Sequence, residues 1–294
     1  MSFDDNNPLA PDPQEPPEPS SHIDPALAEG AILSPEPATP HGPAVPIDLR
    51  VPWGWGNLVL LVLMYFILMF LLVLGLIAYG VKLTDLQNLT PESGPALILT
   101  QVVLSLGILA YLAAEQRFYY RVPFWSGIGW HSLESGAVPR SFAYSRYLLG
   151  GFLFSLAIQL LSASVGTKSK LPMEGLFHDQ RTAFMLLLMA VTIAPVVEET
   201  IFRGYIYPVV ARSFGVGASI VGTGTLFGMM HAPQLWGGWG QIALLIVVGI
   251  VFTYVRSKTG TVVASYLMHV GYNTFPLIVY AFASHGFQRF PVGP

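Results

Sequence analysis

Hydrophobic residues in this chain gather into long runs separated by short polar connectors, and the runs predict helices. Leu58–Tyr79 is almost continuously apolar, and Trp53 and Trp55 just before it suit the headgroup level of a bilayer. Ala96–Ala114 follows directly on Pro95, a residue favoured where a helix opens. Tyr147–Val165 is a third run, and Ala183–Arg212 is a longer one interrupted by Pro195, Gly204 and Pro208. Val216–His231, Ile242–Val255 and Thr261–Phe282 complete the series. Crossing the hydrocarbon layer takes about 20 apolar residues in a helix. Several of these runs are shorter, so some helices should be tilted or partial. The pattern predicts an all-α, polytopic transmembrane bundle of about 7–8 helices.

Composition agrees. The 294 residues are 53% hydrophobic and 11% charged, with a mean hydropathy of +0.56. Soluble domains carry roughly 25% charged residues. With no cysteine, the chain has no disulfide, no thiolate metal site and no cysteine nucleophile. Residues 1–50 differ from the rest: they hold nine of the 17 acidic residues, 12 of the 24 prolines and a single basic residue, Arg50. Such a segment buries too little apolar area to offset its ordering entropy. It reads as a disordered acidic, Pro-rich tail, ahead of a helical domain over residues 51–290. No charged start leads into a short apolar core and a cleavage site, so no cleavable signal peptide is expected. No basic stripe or nucleic-acid-binding motif is evident, and nucleic acid is not an expected partner.

Lysine and arginine bias gives a topology. The connector 115–146 carries Arg117, Arg121, Arg140 and Arg146, and the one near 256–260 carries Arg256 and Lys258. With seven spans, both lie on the cytoplasmic side together with the tail. The connector 166–182, with Lys168, Lys170 and Arg181, pulls weakly the other way. The aromatic run 117–130, RFYYRVPFWSGIGW, suits a segment lying at the headgroups.

Ionisable groups at membrane depth are costly and usually face a polar interior. Here they fall in three places: Glu198, Glu199 and Arg203 in EETIFR, His231 at the end of FGMMH, and His269 and Asn273 in HVGYN. Adjacent glutamates on a helix diverge by about 100°, so Glu198 and Glu199 should do different work. Arg203 sits four residues after Glu199, the spacing of an intrahelical ion pair. Glu198 is left to face a cavity, where a carboxylate can act as general base toward water. Pro195 denies the Val191 carbonyl its amide partner and should bend the helix beside Glu198. His269 and Asn273 are also four apart and can offer two donors to one oxyanion. Alternatively Glu198, His231 and His269 form a His₂Glu set for a divalent metal such as zinc. Measured from helix ends at about 1.5 Å per residue, all three fall at comparable depth. The second span has no Asp, Glu, His, Lys or Arg between Pro95 and Glu115 and is not expected to contribute. Small residues should bring helices together, with Gly224 and Gly228 one turn ahead of His231 and Gly150 and Gly151 on the third span.

In this order, EETIFR, FGMMH and HVGYN match EExxxR, FxxxH and HxxxN. The chain therefore resembles the CPBP family, which includes type II CAAX prenyl endopeptidases and bacteriocin-processing or immunity proteins. The resemblance covers about 180–285. It implies an intramembrane endopeptidase that cuts a membrane-associated or lipidated, CAAX-like protein. By analogy, Glu198 and His231 activate water, His269 and Asn273 stabilise the oxyanion, and Glu199 and Arg203 support the site. The family's usual metal dependence and a metal-free, glutamate-activated water both fit these residues. The expected partners are membrane lipid and a membrane-associated peptide. Two other readings stand beside it: a non-catalytic, immunity-type interaction protein, and a small transporter. The hydropathy pattern lacks the inverted repeats usual in transporters.

Overall fold

The computed structural model describes residues 46–82, 93–134, 136, 138–165 and 180–285. Most of the expected tail and of the connector 166–182 lies outside them. Seven apolar stretches become helical. The first helix, α1, is Trp55–Ala78; α2 is Ser93–Ala114, continued as a π-helical turn over Glu115–Tyr119; α3 is Arg140–Val165. The long fourth stretch is divided into α4 (Gln180–Val191), α5 (Ile193–Glu199), a π-helical segment (Thr200–Ile206) and α6 (Tyr207–Phe214). Then come α7 (Val216–Met230), α8 (Trp239–Thr259) and α9 (Val262–Ala283).

Six of these stretches are long and apolar enough to cross a membrane, counting Gln180–Phe214 as one. The seventh, α7, has 15 residues and is about 22 Å long, short of a hydrocarbon layer about 30 Å thick. The shortfall accords with the partial helices that the sequence predicts. On α1, Phe66 and Phe70, one turn apart, are 62% and 66% exposed, the pattern of a face turned to lipid. Apolar residues there need no protein partner, because hydrocarbon solvates them. The α-helical, multi-pass membrane architecture is thus established.

Close helix contacts position the chemistry. α9 lies along α3, and the crossing is tight in both directions. A Cβ on Gly271 would stand 1.9 Å from the Leu148 carbonyl oxygen, and one on Gly151 would stand 1.8 Å from that of Met268. Only a residue without a side chain fits at either position. Gly150, read from sequence as an equal candidate, has nothing within 4 Å. α7 packs on α8 through Gly224 and Gly228, where a Cβ would meet Ile250 and Ile246. Both expected glycines therefore lie at a helix contact.

Three expectations need correction. The packed domain begins before residue 51: Leu49 is buried against Tyr207 and Ala211, and Asp48 pairs with Arg256 at 2.8 Å. Arg256 is therefore a buried structural cation and not a free loop charge. Trp53 does not face outward toward headgroups. It is buried, stacks on Tyr205 with 5.0 Å between ring centres, and donates its indole N–H to the Tyr205 carbonyl. The strap that carries it is fixed by Arg212, which donates to the carbonyls of Val51 and Trp53. The third correction concerns the 117–130 run, which only partly faces outward. Phe118 and Tyr119 are exposed, but Ile128 is buried and its carbonyl lies against Gly204.

Candidate active site

The site forms where the fourth stretch departs from regular helix. α4 ends at Val191, whose carbonyl is the one that Pro195 leaves without an amide donor, and α5 starts two residues later. The bend lies one to two turns before the two glutamates. Immediately after Glu199 the backbone widens into the π segment Thr200–Ile206. Turns of this kind occur often at functional sites, because they re-aim side chains within an otherwise regular helix.

The two glutamates do divide. Glu199 is fully buried, and its Oε1 accepts from Arg203 Nη1 at 2.9 Å. The same oxygen is 3.0 Å from His269 Nδ1. Arg203 is also fully buried; its Nη2 donates to the Gly249 carbonyl at 2.9 Å, which ties the π segment to α8. The guanidinium lies over Phe227 at 4.6 Å and Phe252 at 5.4 Å, so aromatic faces solvate much of a charge that water does not reach. Glu198 has a side chain 25% exposed, and its Oε2 is 3.8 Å from His269 Nε2. One carboxylate is thus committed to structure, and its neighbour stays accessible.

Hydrogen-bond chemistry fixes the histidine tautomers. A carboxylate only accepts, so His269 Nδ1 carries the proton in its contact with Glu199. His269 Nε2 then faces Glu198, and it donates only in the imidazolium form. His231, at the C-terminal cap of α7, has Nδ1 2.9 Å from the Phe227 carbonyl. A carbonyl also only accepts, so His231 presents Nε2 as a free lone pair in its neutral form. Both imidazoles lie against the Phe227 ring, at 5.0 Å for His231 and 5.8 Å for His269 between ring centres.

Asn273 is on α9, one turn after His269, and donates to the Ala190 carbonyl at 2.7 Å. That bond holds α9 to the end of α4 at the bend. Its second amide hydrogen remains for another acceptor.

Glu198, Glu199, Arg203 and His269 are therefore in one connected cluster, with Asn273 on the same helix as His269. His231 joins only through Phe227: among the described residues no hydrogen bond or ion pair links it to Glu198 or His269. Nor do any three histidine, aspartate or glutamate side chains among the described residues converge as a metal site would require. As they stand, Glu198, His231 and His269 are not grouped as ligands of one ion, and no step below is routed through a metal.

Sequence reasoning missed several residues around the cluster. Trp130 donates its indole N–H to Thr200 Oγ1 at 3.1 Å, next to Glu199. Phe252 stacks near His269 at 4.9 Å. Glu115, at the end of a span not expected to contribute, bonds to the Tyr205 hydroxyl. The aromatic run 117–130 was the one available hint of Trp130; long-range contacts of the others leave no local signature.

Comparison with known proteins agrees with the motifs. Residues 180–275, roughly a third of the chain, match the family model described as type II CAAX prenyl endopeptidase Rce1-like. No curated protein and no solved structure gives a match. The matched stretch runs from the start of α4 into α9, so it spans the bend, the π segment and both histidine-bearing helices. Over this matched core, an all-helical membrane protein carrying EETIFR, FGMMH and HVGYN in order is similar to the CPBP family of CAAX-type membrane proteases.

Proposed function

We propose that the protein is an intramembrane endopeptidase that hydrolyses a peptide bond in a membrane-associated or lipidated, CAAX-like substrate, using water activated by Glu198. The observation that carries the reading is the unequal fate of two adjacent glutamates. Glu199 is locked to Arg203 and His269 Nδ1, while Glu198 stays partly exposed beside His269 Nε2.

In the proposed step these residues act as follows. Glu198 takes a proton from a water molecule, and the resulting hydroxide attacks the scissile carbonyl carbon. The neutral His231 ring, with Nδ1–H held by Phe227, accepts from the same water at Nε2 and orients it. The carbonyl oxygen becomes an oxyanion, which accepts from His269 Nε2–H in the imidazolium form and from the free amide hydrogen of Asn273. Glu199 holds the His269 ring through Nδ1, so the donor is oriented before substrate arrives. The protonated Glu198 then gives its proton to the departing amine as the C–N bond breaks, which restores the carboxylate. Water supplies the hydroxyl of the new carboxyl group and the hydrogen of the new amine.

Membrane lipid and a membrane-anchored peptide are the partners of such a site. The Lys/Arg bias of 115–146 orients the tail toward the cytoplasm, and protease accessibility of the tail in sealed vesicles tests that assignment. The catalytic reading is tested with the full chain in liposomes and a panel of farnesylated and unmodified membrane-anchored peptides. Cleavage by the wild type and its loss in both Glu198→Ala and His231→Ala is the expected result. Cleavage that persists in both variants refutes the assignment, and full rescue of a null phenotype by Glu198→Gln favours a non-catalytic interaction protein.

A further inference from the structure

The mechanism uses one face of the π segment Thr200–Ile206, yet a second carboxylate grips the segment from elsewhere in the bundle. Glu115 closes α2 and is half-buried. Its Oε1 accepts from Asn57 Nδ2 at 2.8 Å, and its Oε2 accepts from the Tyr205 hydroxyl. Asn57 in turn accepts from the Gly54 amide at 2.9 Å, at the start of α1. Tyr205 is fully buried and lies two residues beyond Arg203.

A π turn shifts the carbonyl–amide pairing by one residue, and such a turn persists only where its surroundings hold it. Here most of the side-chain grips on it come from outside the helix. The Tyr205 carbonyl accepts from the Trp53 indole at 2.9 Å, and the Tyr205 ring stacks on Trp53. The Tyr205 hydroxyl is held by Glu115. Thr200, at the other end, is held by Trp130. Between them, Gly204 is pressed on the Ile128 carbonyl, which a Cβ would approach to 2.7 Å. On the opposite side, Arg203 reaches Glu199 and Gly249. The register of Arg203, and with it the Glu199–His269 contact, depends on where Tyr205 is anchored.

We propose that Glu115 is a positioning residue for the peptidase site, acting through the Tyr205 hydroxyl to fix the π segment and so the Glu199–Arg203–His269 cluster. The inference rests on the proposed peptidase reading for its kinetic readout, but its structural readout is independent of that reading. Glu115 does not touch the reacting atoms; its effect is on alignment. Small misplacements of reacting groups lower turnover on the order of 100-fold without abolishing binding.

The test uses the full chain in nanodiscs and compares wild type, Tyr205→Phe, Glu115→Ala, Glu115→Gln and the Tyr205→Phe/Glu115→Ala pair. With a cleavable membrane-anchored peptide, Tyr205→Phe and Glu115→Ala should each lower kcat by about 10–100-fold, with KM within about twofold. Glu115→Gln keeps an acceptor oxygen and should recover part of that loss. The double variant should be no worse than the worse single, because both remove the same bond. Amide hydrogen exchange over 199–206 should quicken about tenfold in each single variant. Exchange unchanged from wild type in Tyr205→Phe and Glu115→Ala overturns the proposal, as does wild-type kcat in both. If the wild type cleaves no peptide, the peptidase reading fails and hydrogen exchange alone decides the role of Glu115.

Discussion

Replacing Arg203 by methionine removes the cation from a carboxylate that has no other charge partner but a histidine. In the native protein both side chains are fully buried, 2.9 Å apart, with the guanidinium also on the Gly249 carbonyl and over two aromatic rings. Arg203→Met leaves Glu199 ionised without its main counter-ion, or forces it to take up a proton. Breaking a buried pair from one side costs about 3–5 kcal/mol. Against a net stability of about 5–15 kcal/mol, that is a large share of the whole. Arg203→Lys recovers little, since a point ammonium cannot serve Glu199 and Gly249 together with a planar fork. The paired change Glu199→Leu/Arg203→Met removes both charges and should cost much less than the sum of the two single changes. Thermal unfolding of the full chain in detergent measures this. On a scale of about 2–4 °C per kcal/mol for chains near this size, the single variant should unfold on the order of 10 °C lower. A loss below about 1 kcal/mol in Arg203→Met, or a double variant as damaged as the sum of its parts, refutes the role given to the pair.

Other outcomes follow from the same geometry. Gly271→Ala must push α9 from the Leu148 carbonyl; overpacking of this kind costs about 1–3 kcal/mol and should lower turnover by moving His269 and Asn273, whereas Gly150→Ala should match wild type in both unfolding and turnover. Asp48→Ala strips Arg256 of its carboxylate. Because Asp48 is partly exposed, the loss should stay near about 1–3 kcal/mol and appear as a lowered unfolding temperature, with added salt narrowing the gap to wild type. Since no three ligands converge among the described residues, peptide cleavage should survive strong chelators; loss of activity on chelation and its return with zinc would show that Glu198, His231 and His269 rearrange to hold a metal.

The helices were legible from sequence because lipid asks for long, unbroken apolar runs, and such runs are local. The bend before the glutamates was equally legible, since Pro195 names the carbonyl it abandons. The Glu199–Arg203 pair followed from helical spacing and survives the widening of the backbone into a π turn. That turn itself was not legible. Nothing in TIFRGYI requires it; the turn is held by Trp53, Glu115 and Trp130, between 70 and 152 residues away along the chain. Trp53 was misread for a related reason: a tryptophan before an apolar run has the same local signature whether it faces headgroups or stacks on a buried tyrosine. Asp48 was assigned to the tail by the composition around it, but its partner, Arg256, lies 208 residues on. Depth along each helix brought Glu198 and His269 to one level, yet it did not reveal that the Phe227 ring touches both histidines.

The most direct measurement is the turnover of Glu198→Gln with a membrane-anchored peptide that the wild type cleaves, recorded beside its thermal unfolding. Removing a general base that is not part of the buried pair should lower kcat by about 10²–10⁴-fold while the unfolding temperature stays at the wild-type value. Turnover equal to wild type in Glu198→Gln would contradict the account, because no other described carboxylate at the site is free to activate water.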